Sequence, residues 1–358
     1  MINNLTNLRD MKKVLIFGAG SIGNHLANAS RKCNLDVSVV DISFKALKRM
    51  KKIIYPSRYK KWDPNIKILN YKDIFMSNEN FHLVIVGTPP ETHLELLSKI
   101  RNKLNYKKIL IEKPLTTFNR NNTNLIKKIK EQNIYVGYNH SVSKSFLYFC
   151  NLIKKKIKTN EITCLEINWR EGWTGILNAH FWLKNEFSSY LGDIKRGGGS
   201  LHEHSHGLHL IICLEKILNF KLPQKFNLNI SYKKNKNQRI YYDKFANINW
   251  SVNNFLVNYT TDLISEPAEK SIKIYTKNKI YSLFFNYQKK CDRLQIQDKS
   301  ISSKKKVIIF KKKRSTDFIN EIKYLMNMNS KNLYKKSFLK LENSLRVQSI
   351  LSKALKNE

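Results

Sequence analysis

One stretch of the chain, VLIFGAGSIG, has the residue types and spacing of a dinucleotide-binding loop. Gly18, Gly20 and Gly23 follow a short apolar strand in the order G-x-G-x-x-G. The first glycine permits a tight turn, the second lets a pyrophosphate approach the backbone, and the third lets the following helix pack closely. Ser21 and Ile22 open that helix, whose N-terminal amides attract phosphate.

The next predicted strand, Val37–Val40, is followed directly by Asp41. A carboxylate at that place can accept hydrogen bonds from the hydroxyl groups of an adenosine ribose. Ile42 and Ser43 come next, so no arginine stands beside the acid to hold the 2′-phosphate of NADP. The pattern therefore favours NAD, and a glycine-rich turn in some other α/β domain is the alternative.

Lys113 lies between Glu112 and Pro114, directly after a predicted buried strand. A lysine held there could donate a hydrogen bond to a substrate hydroxyl and stabilise the alkoxide as hydride leaves. The proline restricts the local backbone, and the peptide bond before it could be cis. The alternative is an ordinary surface lysine, because the chain has 65 lysine and arginine residues.

A histidine-rich segment, GGGSLHEHSHGLH, begins at Gly197. If it is helical, His202, His206 and His209 share one face, and Glu203 lies one turn before His206. A histidine beside a carboxylate is a general base, because the carboxylate orients the ring and stabilises the imidazolium. Two alternatives are a zinc site built from these side chains and histidines that only occupy a helix face.

These residues require a scaffold that brings strand ends together, and the first part of the chain predicts one. Strands alternate with helices there, which indicates a doubly wound parallel sheet. Ligands of such sheets bind at the carboxyl ends of the strands, where the motifs above all fall. The predicted strands are Val14–Phe17, Val37–Val40, Ile66–Leu69, Phe81–Gly87, Lys108–Ile111 and Ile134–Gly137, with helices from Glu91 and over Asn121–Glu131.

Beyond residue 140 the predicted strands follow one another, which indicates an open, mostly antiparallel sheet. We therefore predict an α/β protein with an NAD(P)-binding Rossmann domain over residues 11–140. A C-terminal α+β domain for substrate binding and oligomerisation is predicted over residues 141–358, ending in helices. Its predicted strands are Ile162–Arg170, Lys225–Lys233, Ile248–Thr261, Ser271–Ile280 and Tyr281–Tyr287, with helices at Ser143–Lys156, Leu201–Phe220 and Asp317–Lys356.

Composition argues against several other classes of protein. The chain has 358 residues and a net charge of +38, yet its lysines are spread along the whole length and no nucleic-acid-binding motif holds them. We see no signal peptide and no apolar run long enough to span a membrane. The five cysteines are scattered and odd in number, as expected of free thiols in the cytoplasm.

Together these motifs resemble the Gfo/Idh/MocA oxidoreductases, the glucose–fructose oxidoreductase and inositol dehydrogenase family. The resemblance implies tightly bound NAD or NADP and oxidation or reduction of a sugar, polyol or related carbonyl. It also implies a homo-oligomer, either a dimer or a tetramer, with no nucleic-acid or membrane partner. The motifs that carry it are GAGSIG, Asp41, GTPPETH (Gly87–His93), EKP (Glu112–Pro114), VGYNH (Val136–His140) and GGGSLHEHSH (Gly197–His206).

The resemblance also suggests a role for single residues. Lys113 matches the catalytic lysine near the nicotinamide, His206 matches the general acid/base, and Asn139 matches an asparagine on the cofactor side. We expect Lys113 and His206 to meet over the nicotinamide ring. Further residues expected at the cofactor by the same resemblance are Thr88, Pro89, His93 and Glu112.

Three positions depart from the usual family pattern. His202 occupies the spacing of the usual acid, whereas Glu203 fits the E-x-S-H pattern of a subgroup and becomes the expected partner of His206. His209 stands where that subgroup usually has aspartate, and His140 stands where many members have arginine. The subgroup tends to act near sugars of surface polysaccharides, which is an analogy only.

We therefore predict an NAD-dependent dehydrogenase or reductase acting on a sugar, polyol or nucleotide sugar. His206 takes the hydroxyl proton and Lys113 stabilises the alkoxide. Two alternatives are an NAD-dependent glycoside hydrolase that works by transient oxidation and a non-catalytic dinucleotide-binding protein. Candidates for the sugar pocket, each of which could equally serve packing, are Trp169, Arg170, Trp182, Tyr190 and His209.

Overall fold

The computed structural model describes residues 11–117, 129, 133–235, 239–252, 255–288, 290–300, 305–328 and 336–356. Over these residues the chain divides into two compact units. The first unit takes its described residues from 1–116, 120–139 and 315–341, and the second from 117–119, 140–314 and 342–358. In this division the described residues 315–328 and 336–341 belong to the first unit.

The first unit is built on a six-stranded sheet, accompanied by a separate pair of short strands. The sheet consists of β1 Lys13–Phe17, β2 Asp36–Val40, β3 Ile66–Ile68, β5 Leu83–Val86, β7 Ile109–Glu112 and β8 Ile134–Gly137, and the separate pair of β4 Asn80–Phe81 and β6 Asn105–Tyr106. The order across the sheet is β3-β2-β1-β5-β7-β8, and every neighbouring pair is parallel, which confirms the predicted parallel sheet. The strand order reverses between β1 and β5, the switch point where such sheets bind ligands.

The strands of this sheet are almost continuous runs of valine, leucine and isoleucine, because both faces are buried. The helix predicted over residues 121–131 falls, apart from residue 129, outside the described residues. The helices of the unit are α1 Ser21–Lys32, α2 Phe44–Arg49, α3 Tyr55–Tyr59 and α4 His93–Lys103. A further helix, α9 Thr316–Met326, comes from near the end of the chain. A π turn at Met50–Ile54 links α2 to α3.

Helix α9 packs against α1, which explains why this late segment belongs to the first unit. The rings of His25 and Phe318 are stacked with centroids 4.8 Å apart and planes 7° from parallel. The Lys108 ammonium donates a hydrogen bond of 2.6 Å to the carbonyl of Leu325, near the end of α9. These contacts join positions about two hundred or more residues apart, so local sequence patterns could not indicate them.

The second unit contains an eight-stranded sheet. Its strands are β9 Ile162–Arg170, β10 Asn227–Lys234, β11 Tyr241–Val252, β12 Phe255–Asp262, β13 Glu269–Thr276, β14 Lys279–Tyr287, β15 Cys291–Asp298 and β16 Lys305–Lys311. They lie in the order β10-β11-β12-β9-β13-β14-β15-β16. Only the β12–β9 pair of this sheet is parallel, so the predicted mostly antiparallel sheet is confirmed.

Two predicted elements of this unit are wrong in detail. The single strand predicted over Ile248–Thr261 is a hairpin, in which Trp250 pairs with Val257. The helix predicted over Leu201–Phe220 is interrupted, as described below.

Helices cover one part of the second sheet. The helices are α5 Lys144–Lys156, α6 Trp173–Ala179, α7 Ser200–Glu203, α8 His206–Leu218 and α10 Leu341–Ala354. Helices α5 and α8 pack against each other, and α8 packs on β9. Among the described helices of both units, none combines the length and the apolar character needed to cross a membrane.

Candidate functional site

The glycine loop after β1 has the geometry that its sequence indicates. Gly18 has φ +103°, and a Cβ there would lie 2.5 Å from the carbonyl oxygen of Gly87. A Cβ at Gly23 would overlap the carbonyl oxygen of Gly18. Nothing lies within 4 Å of the place that a Cβ would take at Gly20. The loop is therefore closed on the protein side and open beside Gly20, where a ligand can approach the backbone.

Positive potential gathers at the start of α1. Its N-cap, Gly20, has no side chain that could accept hydrogen bonds from the first N–H groups of the helix. The first turn also contains no acidic residue. Arg58 donates hydrogen bonds of 2.8 Å to both the carbonyl oxygen and the hydroxyl of Ser21. Sequence reasoning missed Arg58, because 37 residues separate it from Ser21 and no local pattern connects them. The arrangement suits a pyrophosphate.

Asp41 is held firmly at the carboxyl end of β2. Its Oδ2 accepts a hydrogen bond of 2.8 Å from the backbone N–H of Ala19, and its Oδ1 accepts one of 2.7 Å from that of Ser43. A carboxylate oxygen can accept more than one hydrogen bond, so both oxygens retain capacity for ribose hydroxyls. Ile42, beside it, is 81% exposed and offers an apolar surface.

His93 joins the turn after β5 to the turn after β7 from inside the protein. Its Nε2 lies 2.8 Å from the carbonyl oxygen of Thr88, and its Nδ1 lies 3.1 Å and 3.2 Å from those of Pro114 and Leu115. Burial lowers the pKa of His93, so the ring is neutral and donates one N–H. The fully buried side chain of His93 therefore holds these two turns in place, and its contact with the cofactor stays a prediction.

In the EKP segment, the carboxylate of Glu112 is buried, whereas the side chain of Lys113 is partly exposed. The Lys113–Pro114 peptide bond is cis. Glu112 is buried, accepts a hydrogen bond of 3.3 Å from the N–H of Lys113, and lies so close to Gly137 that a Cβ there would come within 2.8 Å of Glu112 Oε1. Lys113 itself is half-buried. Glu112 is therefore placed to support the turn, whereas Lys113 can reach a ligand.

Asn139 and Thr88 supply polar groups after β8 and β5. Asn139 is buried, and within the described part of the chain its side-chain oxygen has no hydrogen-bond partner. The hydroxyl of Thr88 accepts a hydrogen bond of 2.7 Å from that of Thr92, while Pro89 is half-buried beside it. With the opening at Gly20, these groups fit a bound nicotinamide dinucleotide.

A buried carboxyl group lies behind the EKP segment. Glu321, on α9, is fully buried, and neither of its carboxyl oxygens has a hydrogen-bond partner among the described residues. Burial, and then the neighbouring carboxylates of Glu112 and Asp317, raise the pKa of Glu321 well above its usual value. Glu321 therefore holds its proton to higher pH than an ordinary glutamate does. Only the docking of α9 brings these acids together, so no local pattern indicates them.

In the second unit, His206 lies in an aromatic cluster. Its ring is stacked on Trp169, with centroids 5.6 Å apart and planes at 30°, and meets the His140 ring edge-on at 4.8 Å. Phe285 contacts both Trp169 and His140, at 5.2 Å and 5.3 Å between centroids. Trp169 is buried, while His140 and His206 are half-buried. Phe285 was not foreseen, because nothing in its strand marks it.

The predicted continuous face of histidines is wrong, because the helix is interrupted. Helix α7 ends at Glu203, which is half-buried, and α8 begins at His206. The Tyr259 hydroxyl donates a hydrogen bond of 2.8 Å to the carbonyl of His204 at the break, and Gly207 packs on the Tyr259 ring. This break is set by a side chain from β12, more than fifty residues away along the chain.

Two of the three histidines are consequently inside the protein. His202 is fully buried with its Nδ1 3.1 Å from the carbonyl oxygen of Gly198, and His209 is fully buried with its Nδ1 3.8 Å from Cys213 Sγ. Contact of His209 with the substrate stays a prediction. In the described ranges, no three histidine, cysteine or acidic side chains form a group that could hold a metal ion.

The sugar-pocket candidates separate into different environments. Arg170 alternates with Trp169 along β9 and so lies on the opposite face of the sheet, where it forms a 2.6 Å ion pair with the buried Asp262. This face is opposite to that of Trp169, on which His206 is stacked, and contact of Arg170 with a sugar stays a prediction. Tyr190 packs against the apolar cluster of Tyr242 and its neighbours. Trp182 packs edge-on against Phe181, which is 52% exposed.

The first unit matches a known family. Residues 12–140 match the model of the Gfo/Idh/MocA oxidoreductases, described as an oxidoreductase family with an NAD-binding Rossmann fold. A search of curated protein sequences found no significant match.

Solved structures show the same fold over nearly the whole chain. An inositol dehydrogenase homologue from Azotobacter vinelandii has 13% identity and a TM-score of 0.69, covering 99% of this chain and 98% of that one. A 3-ketoreductase from Actinomadura kijaniata has 12% identity and a TM-score of 0.66, covering 97% of each. UDP-N-acetylglucosamine 3-dehydrogenase GnnA from Acidithiobacillus ferrooxidans has 13% identity and a TM-score of 0.63, covering 96% of each.

Proposed function

We propose that the protein transfers hydride between a nicotinamide dinucleotide and a sugar or nucleotide sugar, since residues 12–140 match the model of the NAD-binding Rossmann fold of the Gfo/Idh/MocA oxidoreductases. The observation that carries this proposal is the carboxyl edge of the first sheet. There the open glycine loop, the fixed carboxylate of Asp41 and the half-buried Lys113 follow three strands of one parallel sheet. Such an edge is where α/β sheets bind dinucleotides.

The cofactor is NAD rather than NADP. Asp41 offers two oriented carboxylate oxygens to the ribose hydroxyls and would repel a 2′-phosphate. The related structures include one with NAD⁺ and one with NADP, so the fold itself does not decide between them. Arg58 donates its hydrogen bonds to Ser21 in the glycine loop, at the start of α1.

Two side chains of this chain handle the substrate proton and charge. In the oxidative direction, His206 accepts the proton of a substrate hydroxyl, and Lys113 donates a hydrogen bond to the oxygen as negative charge develops on it. The carbon that carries this oxygen loses hydride, and the nicotinamide supplies the acceptor when it is bound. Trp169, stacked on His206, fixes the plane of the imidazole. Glu203, at the end of the preceding helix, is the proposed carboxylate partner.

The substrate class is a sugar carried on a nucleotide. GnnA, one of the similar structures, is a UDP-N-acetylglucosamine 3-dehydrogenase, and the similar ketoreductase was solved in complex with TDP-benzene. In this chain, the exposed Phe181 beside Trp182 offers an aromatic surface suited to a sugar or a base. The homo-oligomer indicated by the sequence stays a prediction, which sedimentation of the purified protein tests.

The experiment is an assay of the purified protein with NAD⁺ or NADP⁺ and a panel of UDP- and TDP-sugars, following NADH absorbance. We expect reduced nicotinamide to accumulate with at least one sugar, and Lys113→Ala to abolish this turnover while retaining dinucleotide binding. Sugar release without net NADH would favour a hydrolase that works by transient oxidation. Dinucleotide binding without turnover of any sugar would favour a non-catalytic binding protein.

A further inference from the structure

Asp243 is buried directly beneath the loop that leads to His206. It lies on β11 and is fully buried. Its Oδ2 accepts hydrogen bonds of 2.7 Å from the hydroxyl of Ser200 and 2.8 Å from the backbone N–H of Leu201. Its Oδ1 touches the Gly199 backbone so closely that a Cβ there would overlap it. No sequence motif indicates this contact, because 43 residues separate Asp243 from Ser200.

Helix α7 cannot supply this acceptor for itself. Its N-cap is Gly199, which has φ +90° and no side chain to accept the first amide hydrogen bonds. Residues at this position usually carry an oxygen that accepts from the N–H groups of the first turn. Asp243 provides that oxygen from a neighbouring strand. Because α7 contains only the residues Ser200–Glu203, a single turn, it depends on such outside contacts for its shape.

We propose that Asp243 is a positioning residue for the proposed reaction, one that caps α7 and thereby fixes Glu203 and His206. This inference rests on the proposed function of His206. The carbonyl side of the same loop is held separately, since Thr261 donates to the carbonyl of Ser200 at 3.2 Å and Tyr259 donates to that of His204 at 2.8 Å. These two hydroxyls donate to carbonyl oxygens of the loop, whereas Asp243 accepts the hydrogen bond from the N–H of Leu201.

The position needs an acceptor rather than a charge. Both hydrogen bonds fall on Oδ2, and Oδ1 has no partner in the described parts of the chain. Burial raises the pKa of Asp243 to about 7, so a substantial fraction of it is protonated at neutral pH. An asparagine can place its carbonyl oxygen where Oδ2 lies and its amide where Oδ1 lies. An alanine removes the acceptor and leaves the N–H of Leu201 without it.

The experiment compares Asp243→Asn and Asp243→Ala in the full-length protein, with kcat and the KM values measured separately. We expect Asp243→Ala to lower kcat by about tenfold or more while the KM for the dinucleotide stays unchanged, because misplacing a reacting group costs rate rather than cofactor binding. Asp243→Asn should restore kcat to within about threefold of the wild type. The control is Asp292→Ala, whose buried carboxylate is bonded to Ser145 and Lys312 instead.

A second readout is independent of activity. Amide hydrogen exchange of residues 200–203 should accelerate in Asp243→Ala and stay near the wild-type rate in Asp243→Asn and Asp292→Ala. If Asp243→Ala does not fold, Ser200→Ala, which removes one donor to the same oxygen, takes its place. Unchanged kcat and unchanged exchange in the alanine variant would overturn the proposal. Equal losses in the Asn and Ala variants would also overturn it, because charge would then matter rather than capping.

The two proposals fail in different ways. If the wild-type protein turns over no sugar, the proposed function fails, and the exchange of residues 200–203 still decides whether Asp243 caps α7. If the wild type is active and the exchange changes without any change in kcat, the cap exists but does not position His206. That result would leave the proposed function intact and contradict the role of Asp243.

Discussion

The imidazole of His206 lies stacked on the indole of Trp169, with ring centroids 5.6 Å apart and planes at 30°. Trp169 is fixed in the middle of the second sheet, on β9, and is 1% exposed. The indole face carries negative potential, so it stabilises a cationic ring placed over it. A histidine that accepts a proton in this position is therefore oriented and stabilised by the same contact.

This contact predicts the effect of replacing Trp169. Trp169→Leu should lower kcat by about tenfold, because the imidazolium loses the aromatic face and the ring loses its orientation. Trp169→Phe keeps an aromatic face and should retain most of the activity. Steady-state kinetics of the two variants, with their melting temperatures, provide the measurement. A leucine variant as active as the phenylalanine variant would show that stacking has no part in the reaction.

Gly20 and Gly23 offer a matched pair of substitutions. Gly20→Ala meets only open space and the residue has an ordinary φ of −78°, so the variant should melt like the wild type yet bind NAD⁺ more weakly, by about tenfold. Gly23→Ala would press its methyl group onto the Gly18 carbonyl and should lower the melting temperature. Thermal melting and calorimetric titration of both variants test this. Wild-type NAD⁺ affinity in the Gly20 variant would argue against a dinucleotide at this loop.

Asp41 should decide which dinucleotide binds. Asp41→Asn keeps an acceptor for the glycine loop but removes the negative charge and one carboxylate oxygen. We expect the affinity for NAD⁺ to fall by about tenfold and that for NADP⁺ to fall less or to rise, because the repulsion of a 2′-phosphate is lost. Titrations with both cofactors give the ratio. An unchanged ratio would mean that the ribose does not lie against Asp41.

Glu321 should make stability depend on pH. Since its pKa is raised in the folded protein, the folded state keeps a proton that the unfolded chain releases above about pH 4.5. The free energy of unfolding therefore falls as pH rises, by up to about 1.4 kcal/mol per pH unit. Glu321→Gln cannot titrate, so its advantage over the wild type should grow as the pH rises from about 4.5 towards neutrality.

The measurement for Glu321 is urea unfolding across that range of pH. Glu95→Gln is a suitable control, because the Glu95 side chain is 75% exposed and pairs only at the surface with Lys99. The control should keep the wild-type pH dependence. If Glu321→Gln also keeps it, the carboxyl group of Glu321 is not held in its protonated form.

A feature could be predicted from the sequence when the residues that determine it lie close together along the chain. The glycine loop and Asp41 lie within one strand–helix–strand unit, where periodicity and glycine spacing report directly on geometry. The same holds for the parallel strands of the first unit, whose continuous apolar runs require burial on both faces. The parallel sheet was predicted correctly because few distant contacts decide it, and the cofactor contacts of the glycine loop and of Asp41 stay predictions.

The features that sequence reasoning missed are set by distant contacts. The break between α7 and α8 depends on Tyr259 and Asp243, and helical periodicity alone predicts one continuous helix. Glu321 approaches Glu112 only because α9 returns to the first unit. Residue type alone indicates none of these placements.

The central claim, that this chain binds a nicotinamide dinucleotide at the carboxyl edge of its first sheet, has one direct test. Calorimetric titration with NAD⁺ of the wild type and of Lys113→Ala measures cofactor binding without knowledge of the sugar. We predict that both bind NAD⁺ with similar dissociation constants in the micromolar range or below. A wild-type protein that binds neither NAD⁺ nor NADP⁺ would contradict the account.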